Sequence, residues 1–164
     1  MIYRLATLED LELVWDKDIS KHIGDNRWVR WKKEYIDYNK NNELKTFVAV
    51  TEKGDVIAQV SLVFSSMVKA VRGKDKLCND KDIANFNAFR CDEEYRGQGH
   101  ISKLVKIAEA YAKENGITKI TIGVEANITK NMCIYFHFGY TNFEMFEIDE
   151  EENNELILYY SKTI

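Results

Sequence analysis

The chain has 164 residues, of which 45% are hydrophobic and 30% are charged, and its formal net charge is -4. This length and composition predict one globular domain spanning residues 1–164. They exclude a membrane-spanning protein, because no apolar stretch is long enough to cross a bilayer, and disfavour a nucleic-acid-binding one, because no basic stripe is present.

The N-terminus and the cysteines narrow the class further. The first ten residues become charged too early for a signal peptide, so we predict a cytoplasmic location. Cys78, Cys91 and Cys133 lack a CxxC spacing, and the three histidines show no familiar ligand spacing. Neither a disulfide framework nor a zinc site is indicated, and we predict no metal.

The first half of the chain predicts a strand, two helices and a hairpin. The strand lies near residues 2–5, and Thr7 with Asp10 forms the pattern of a capping box for the first helix. A second helix is predicted over about residues 25–41, because four aromatic residues share one face of it: Trp28, Trp31, Tyr35 and Tyr38. Alternating strands over residues 46–51 and 56–65 flank a turn at residues 52–55.

The second half predicts strands and helices in alternation. The polar stretch 69–82 indicates a loop, followed by a strand over residues 83–91 and an amphipathic helix over about residues 101–115. A strand over residues 117–124, a short helix and two closing strands over about residues 140–148 and 156–161 complete the chain. The predicted order is therefore βααβββαβαββ.

The most informative segment joins the strand at 83–91 to the amphipathic helix and reads Tyr95-Arg96-Gly97-Gln98-Gly99-His100. Two glycines permit a tight turn and a close approach to a ligand, and the N–H groups freed at a helix start attract anions. The segment has neither the Lys-Ser/Thr pair of a Walker loop nor the third glycine of a dinucleotide fingerprint. The sequence therefore predicts a phosphate cradle of another kind.

This segment resembles the central motif of the GNAT N-acetyltransferases, Arg/Gln-x-x-Gly-x-Gly/Ala, in which successive amides hold the pyrophosphate of acetyl-CoA. Arg96 and Gly99 match that motif, whereas Ile101 replaces its last small residue.

A second part of the same resemblance follows about thirty residues later. GNAT chains commonly have a short helix ending in Tyr, three residues, and then Gly-Phe or Gly-Tyr, which Tyr135, Gly139 and Tyr140 match. The usual Asn seven residues before that Tyr is absent, because position 128 is Ile. Asn127 and Asn131 lie nearby.

The resemblance implies the GNAT fold, an α/β (α+β) fold with a mixed, mostly antiparallel sheet of six to seven strands flanked by about four helices. It also implies an acetyl-CoA-dependent N-acetyltransferase, with the acetyl-pantetheine arm in a gap where the strands at 83–91 and 119–124 splay apart.

For acetyl-CoA, the resemblance implies contacts from the cradle and from the strand before it. Main-chain amides of that strand are candidates for stabilising the oxyanion, and Asn131 either bonds the pantetheine arm or caps its helix. Lys103 or Lys106 is a candidate for the ribose phosphate. The implied cofactor-binding residues are Phe89, Arg90, Cys91, Arg96, Gly97, Gln98, Gly99, His100, Ile101 and Asn131.

Two side chains are candidates for proton transfer. Tyr135 is the predicted acid for the leaving thiolate, because the family places a Tyr beside the CoA sulfur, although a packed aromatic residue explains it too. Glu125 is a candidate base that would act on the amine through a water; the alternative is a structural or surface carboxylate.

The acceptor amine is less constrained. Trp28 and Trp31 indicate either a wall for a cation or core packing. A run of acidic residues indicates either a solvated loop or a field for cationic substrates, and comprises Glu147, Asp149, Glu150, Glu151, Glu152 and Glu155. We expect a small-molecule primary amine, with a peptide or protein amine as the second possibility.

A function of another class stays open. A CoA sensor or scaffold domain that retained the cradle and lost catalysis is favoured by Ile101 and by the lack of a carboxylate on residues 83–89. Retention of Tyr135 argues for the enzyme. A homodimer is a further hypothesis.

Overall fold

The computed structural model describes residues 1–150 and 154–164. In that part of the chain, the elements confirm the predicted order. They are β1 (Ile2–Leu5), α1 (Leu8–Lys21), α2 (Asn26–Lys40), β2 (Leu44–Val50), β3 (Val56–Val63), β4 (Ile83–Cys91), α3 (His100–Glu114), β5 (Lys119–Glu125), α4 (Thr129–His137), β6 (Asn142–Asp149) and β7 (Glu155–Thr163). A single 3-10 turn, Glu93–Tyr95, precedes α3.

The described strands form one seven-stranded sheet in the order β1-β2-β3-β4-β5-β7-β6. β4 and β5 are parallel, whereas β1 pairs with β2, β5 with β7 and β6 with β7 in antiparallel fashion. The mixed sheet with four α-helices confirms the predicted fold class.

Residue contacts divide the chain into two compact units, of which the first contains residues 1–62 and 88–108. The predicted capping box is present at α1: the Thr7 hydroxyl accepts from the Asp10 N–H at 3.2 Å, and the Asp10 carboxylate accepts from the Thr7 N–H at 2.7 Å. The apolar face of α1 then packs on α2, where the buried residues Leu11, Trp15 and Ile36 contact the aromatic stripe of Trp28, Trp31 and Tyr35.

β3 is buried at all eight of its positions. The sequence predicts this strand correctly, but its alternating polar residues do not face solvent. Ser61 instead pairs with the Thr46 hydroxyl at 2.9 Å, and Gln59 is 1% exposed. Buried polar side chains on a central strand require partners within the protein, which the alternation alone does not reveal.

The second unit contains residues 63–87 and the described part of 109–164. The predicted loop, residues 69–82, carries no helix or strand. Three of its residues, Val71, Leu77 and Cys78, are nevertheless buried, as is Val68 just before it. Tyr140 is fully buried and donates a hydrogen bond to the Glu109 carboxylate at 2.8 Å, which Lys162 also contacts. The charge pair compensates the burial of these polar atoms.

The parallel pairing of β4 with β5 is short. Its register runs from the pair Ile83 and Lys119 to the pair Phe86 and Ile122. Both strands continue further, β4 to Cys91 and β5 to Glu125. A gap at that end of the two strands stays a prediction.

Candidate active site

The predicted cradle is shaped by two left-handed glycines. Gly97 and Gly99 have φ angles of +75° and +80°, which a residue with a Cβ adopts only at a cost. Gln98, between them, has an ordinary negative φ. Such an alternation is the backbone pattern in which successive N–H groups converge on an anion.

The N–H groups of the cradle are available for a ligand. In the described part of the chain, the main-chain hydrogen bonds of this segment resume with the Lys103 N–H, which donates to the Gly99 carbonyl at 3.1 Å. No hydrogen bond among the described residues is donated by an N–H group of residues 97–102. Six consecutive donors therefore lie at the start of a 15-residue helix, where the helix dipole also favours an anion.

The side chains of the cradle bond to the protein itself. Arg96 Nε donates to the Cys91 carbonyl at 3.1 Å, and Gln98 Nε2 donates to the Glu94 carbonyl at 2.8 Å. These contacts hold the loop in place and leave the backbone N–H groups as the candidate anion donors. The Arg96 guanidinium is exposed and lies 3.6 Å from the Glu93 carboxylate.

His100 fixes the start of α3 through a partner that the sequence does not indicate. Its ring is 8% exposed, and Nδ1 lies 2.8 Å from the Tyr3 hydroxyl on β1. Tyr95 contacts the same ring edge-on. His100 is therefore packed beside the predicted cradle through Nδ1, whereas its Nε2 is buried without a hydrogen-bond partner among the described residues.

The Ile101 side chain does not crowd the two glycines. A Cβ built on Gly97 or Gly99 would meet no heavy atom within 4 Å apart from the adjacent residues. Ile101 itself is half-buried. The open space and the free donors fit a diphosphate, so the residues present satisfy the requirement for the pyrophosphate of CoA.

The end of β4 consists of Phe89, Arg90 and Cys91. The charged side chain of Arg90 contacts α1. Arg90 forms an ion pair with Asp18, and its guanidinium lies 3.9 Å from the centre of the Trp15 ring. Burial lowers the pKa of Arg90, against the opposing effect of Asp18. The predicted role of this segment in cofactor binding is thus left to its main chain.

The aromatic stripe of α2 is already covered by the protein's own groups. Arg90 lies 5.7 Å from the Trp28 ring centre, His22 stacks on the same ring at 3.9 Å, and Arg27 lies 5.6 Å from the Trp31 ring centre. Of the two interpretations of the stripe, these contacts favour packing over a wall for a substrate cation.

Tyr135 and Glu125, the two residues predicted for proton transfer, belong to the second unit and interact there. Tyr135 lies in the last turn of α4, and Glu125 ends β5. Burial, and next the Glu125 carboxylate, raise the pKa of Tyr135 to about 12. The phenol therefore keeps its proton throughout the neutral range, as a hydrogen-bond donor requires.

A second tyrosine near Glu125 is absent from the sequence prediction. Tyr159 donates a hydrogen bond to Glu147, whose other carboxylate oxygen lies 2.6 Å from Lys74 Nζ. Burial first, and then the charges of Glu147, Asp149 and Glu125, raise the pKa of Tyr159. The sequence contains one signal for this contact, which is the glycine at position 123 within a predicted strand. In the structure, a Cβ on Gly123 would lie 2.7 Å from the Tyr159 ring.

The profile described as the acetyltransferase (GNAT) family matches residues 11–140. The chain belongs to the GNAT acetyltransferase family. No curated relative matches it significantly.

Solved GNAT structures share the fold across the whole chain. The ribosomal-protein-alanine N-acetyltransferase from Brucella melitensis has a TM-score of 0.70 at 16% identity, covering 100% of both chains. A variant spermidine N-acetyltransferase from Vibrio cholerae has a TM-score of 0.68 at 15% identity, covering 99% of this chain and 95% of that one. A putative GNAT acetyltransferase from Desulfovibrio desulfuricans gives 0.75 at 9% identity, with 99% and 98% coverage.

Within this GNAT chain, α4 begins without a side-chain cap, because its N-cap residue is Ile128. Asn131 is half-buried in the first turn, and its N–H donates to the Ile128 carbonyl at 3.1 Å. Its contact with a pantetheine arm stays a prediction.

The acidic run divides between the hairpin strands and their connection. Glu147 is paired with Lys74 and Tyr159, and Asp149 is directly opposite Glu155. Glu151 and Glu152 lie outside the described residues. In the part of the chain that is described, no cluster of three or more His, Cys, Asp or Glu residues is suited to a metal ion, and no helix has the length and apolarity to cross a membrane.

Proposed function

We propose that this chain transfers the acetyl group of acetyl-CoA to a primary amine, as a single domain over residues 1–164, and that the amine belongs to a small molecule. One observation carries the proposal: residues 97–102 present six N–H groups without a partner in the described chain, beside two left-handed glycines. The start of α3 leaves its first N–H groups without intrahelical partners, the two glycines extend that row toward residue 97, and a diphosphate would satisfy it.

The cradle binds the pyrophosphate through its backbone. The N–H groups of residues 97–102 donate to the phosphate oxygens. The exposed Arg96 guanidinium, which lies 3.6 Å from the Glu93 carboxylate, can exchange that partner for a phosphate. Lys106 is exposed on α3 and is the better candidate for the ribose phosphate, because Lys103 Nζ already lies 5.1 Å from the Tyr3 ring centre. Asn131 is assigned to the pantetheine arm.

Bound acetyl-CoA supplies a thioester carbonyl. The main-chain amides of Phe89 to Cys91 are assigned to the charge that develops on the carbonyl oxygen. Glu125 is assigned to the proton of the attacking ammonium group, because a protonated amine has no lone pair. The three amides lie at the end of β4, and Glu125 is the last residue of β5.

Tyr135 is assigned to the CoA sulfur as it leaves, and the raised pKa of its phenol bears on this role. The pKa of Tyr135, raised to about 12, lies above the value of about 8.5 for a cysteine thiol, so the phenol is protonated when the sulfur leaves. Tyr135 donates a hydrogen bond to the developing thiolate and is the proposed acid for it.

Two acceptor classes are suggested by related structures, one named for spermidine and another for the alanine of a ribosomal protein. The covered aromatic stripe in this chain gives no cation wall on α2, and therefore no preference for a polyamine from that surface. The acceptor is best identified with a panel of spermidine, amino sugars, amino acids and peptides with N-terminal alanine.

The proposal is tested by measuring thiol release from acetyl-CoA with that panel, together with calorimetric titration with CoA. We expect saturable CoA binding and turnover with at least one small amine. Turnover with the peptides alone would assign a protein acceptor. Binding without any turnover would favour the CoA sensor, and the absence of binding heat would overturn both functions. The cytoplasmic location and the homodimer stay predictions.

A further inference from the structure

One residue of β4 has a backbone conformation that its side chain does not favour. Ala88 has a φ of +52°, in the left-handed region. In the described chain, the other non-glycine residues with positive φ are Asn42, Asp80 and Asn154, whose short polar side chains tolerate that region. Alanine has no such compensation, so its conformation must be imposed by its surroundings.

The contact on this strained residue comes from the neighbouring strand. Gln59 on β3 is 1% exposed, and its Nε2 donates a hydrogen bond to the Ala88 carbonyl at 3.3 Å. A carbonyl accepts and never donates, so the amide nitrogen of Gln59, not its oxygen, must face Ala88.

The carboxamide of Gln59 is costly to bury at this position. Its Oε1 atom is fully buried and has no hydrogen-bond partner among the described residues. A buried amide with half of its hydrogen-bonding capacity unused destabilises the fold relative to an apolar side chain of similar volume. The hydrogen bond from Gln59 to the Ala88 carbonyl offsets only part of this cost, so stability alone does not account for an amide at this position.

The backbone after Ala88 is anchored as well. Arg90 is held by Asp18 and by the Trp15 ring, and the Asp92 N–H donates to the Ile57 carbonyl at 2.9 Å. The chain after Ala88 is therefore held at residues 90 and 92, and the φ of Ala88 sets the orientation of the peptide groups that follow it up to those points. A single left-handed residue within a strand re-aims the groups that follow it.

We infer that Gln59 is a positioning residue: its buried carboxamide holds Ala88 in the left-handed conformation and thereby sets the direction of the peptide N–H groups of Phe89 to Cys91 toward the oxyanion of acetyl transfer. This inference rests on the proposed function. Gln59 acts through the backbone of β4 and touches no reacting atom.

The test compares Gln59→Leu, Ala88→Gly and the double variant. Leucine has nearly the volume of glutamine and lacks the donor. We expect Gln59→Leu to lower kcat at least tenfold, with the KM for acetyl-CoA and the Kd of CoA within twofold of wild type and an unchanged or higher Tm. Glycine adopts positive φ without a Cβ penalty, so Ala88→Gly in the Gln59→Leu background should restore kcat at least threefold.

Ser61→Ala is the matched control. Ser61 is a fully buried polar residue on the same strand, and its hydroxyl pairs with Thr46. Its removal should leave kcat within twofold of wild type. A comparable loss in this variant would mean that any buried polar group of β3 is required, and would overturn the specific role of Gln59.

A readout independent of activity separates this inference from the proposed function. Crystal structures of wild type and Gln59→Leu give the φ of Ala88, which we expect to leave the left-handed region or to become heterogeneous in the variant. An unchanged φ, an unchanged kcat, or a lost kcat that Ala88→Gly does not restore would each overturn the inference. If wild type transfers no acetyl group to any amine, the proposed function fails first, before any variant is made.

Discussion

The cradle and the Tyr135 region solve their chemical tasks in opposite ways. In the cradle, the side chains of Arg96, Gln98 and His100 are bonded to the protein, and the backbone N–H groups are left for the ligand. Around Tyr135, the proposed chemistry depends on side chains, and burial together with the Glu125 carboxylate raises the pKa of the phenol.

This difference determines how each region responds to substitution. A backbone site tolerates changes of side chain but not the addition of a Cβ where φ is positive or where a ligand must approach. A side-chain site is sensitive to the loss of one hydroxyl or one charge. The variants below are chosen to test that contrast.

The largest effect is expected for Tyr135→Phe, which removes one oxygen atom. Turnover should fall by about 100-fold or more, because the hydrogen bond to the leaving sulfur is lost, while the Kd of CoA stays unchanged. A thiol-release assay measures turnover, and calorimetric titration measures the Kd of CoA. Tyr160→Phe is the matched control, since its ring contacts Phe136 and Phe143 and no hydroxyl contact is formed among the described residues. Equal turnover in both variants would remove Tyr135 from the reaction.

Gly97→Ala tests the cradle. The added Cβ should weaken hydrogen bonds to the pyrophosphate, each worth about 1.5–3 kcal/mol, and raise the Kd of CoA by about 10- to 100-fold. Gly73→Ala is the control, because Gly73 has the same φ of +75° and the same open surroundings. Both variants carry the same backbone cost, so only a binding site at Gly97 separates them in calorimetry.

Gln98→Ala completes the comparison within the cradle. Its side chain bonds to the Glu94 carbonyl, so we expect the Kd of CoA to stay within about threefold of wild type if the backbone is the binding group. A loss as large as that of Gly97→Ala would show that side chains, not N–H groups, hold the anion.

Glu125→Gln tests the electrostatics of the second region. Removal of the carboxylate should lower the pKa of Tyr135 from about 12, yet keep it above 10, because burial is the larger cause of the shift. The native state holds this proton more tightly than the unfolded chain, so the associated stability is complete below pH 10 and is lost as the pH rises toward 12. NMR titration of ring-labelled tyrosine follows the phenol directly. An unchanged pKa would separate Glu125 from Tyr135.

The smallest effect is expected in the closing hairpin. Asp149 and Glu155 are directly opposite each other on β6 and β7, and like charges in that arrangement are destabilising. Glu155→Lys should raise the free energy of unfolding by about 0.2–1 kcal/mol, seen as a Tm increase of up to about 4 °C. A lower Tm would indicate that the acidic pair has a compensating contact.

The sequence predicts the parts of this protein that depend on local chemistry. The element order follows from periodicity, the capping box from Thr7 and Asp10, and the cradle from two glycines before an amphipathic helix. Each of these features is encoded within a few residues, so it can be recognised without knowledge of the tertiary contacts.

The parts that the sequence does not reveal depend on distant partners. The Tyr3 to His100 contact joins residues 97 positions apart. Ala88 has no local preference for a left-handed backbone, and its carbonyl accepts a hydrogen bond from Gln59, which lies 29 positions away. Arg90 is predicted at the cofactor site through its main chain, which stays a prediction, and the sequence does not indicate that its side chain contacts Trp15 and Asp18.

The aromatic cluster of the first unit has a practical consequence. All three tryptophans of the chain, Trp15, Trp28 and Trp31, belong to it. Tryptophan fluorescence, excited selectively over tyrosine, therefore follows the opening of that unit alone, while circular dichroism follows the whole backbone. Superimposable denaturation curves from the two signals would establish cooperative, single-domain unfolding, and displaced curves would show that the two halves melt separately.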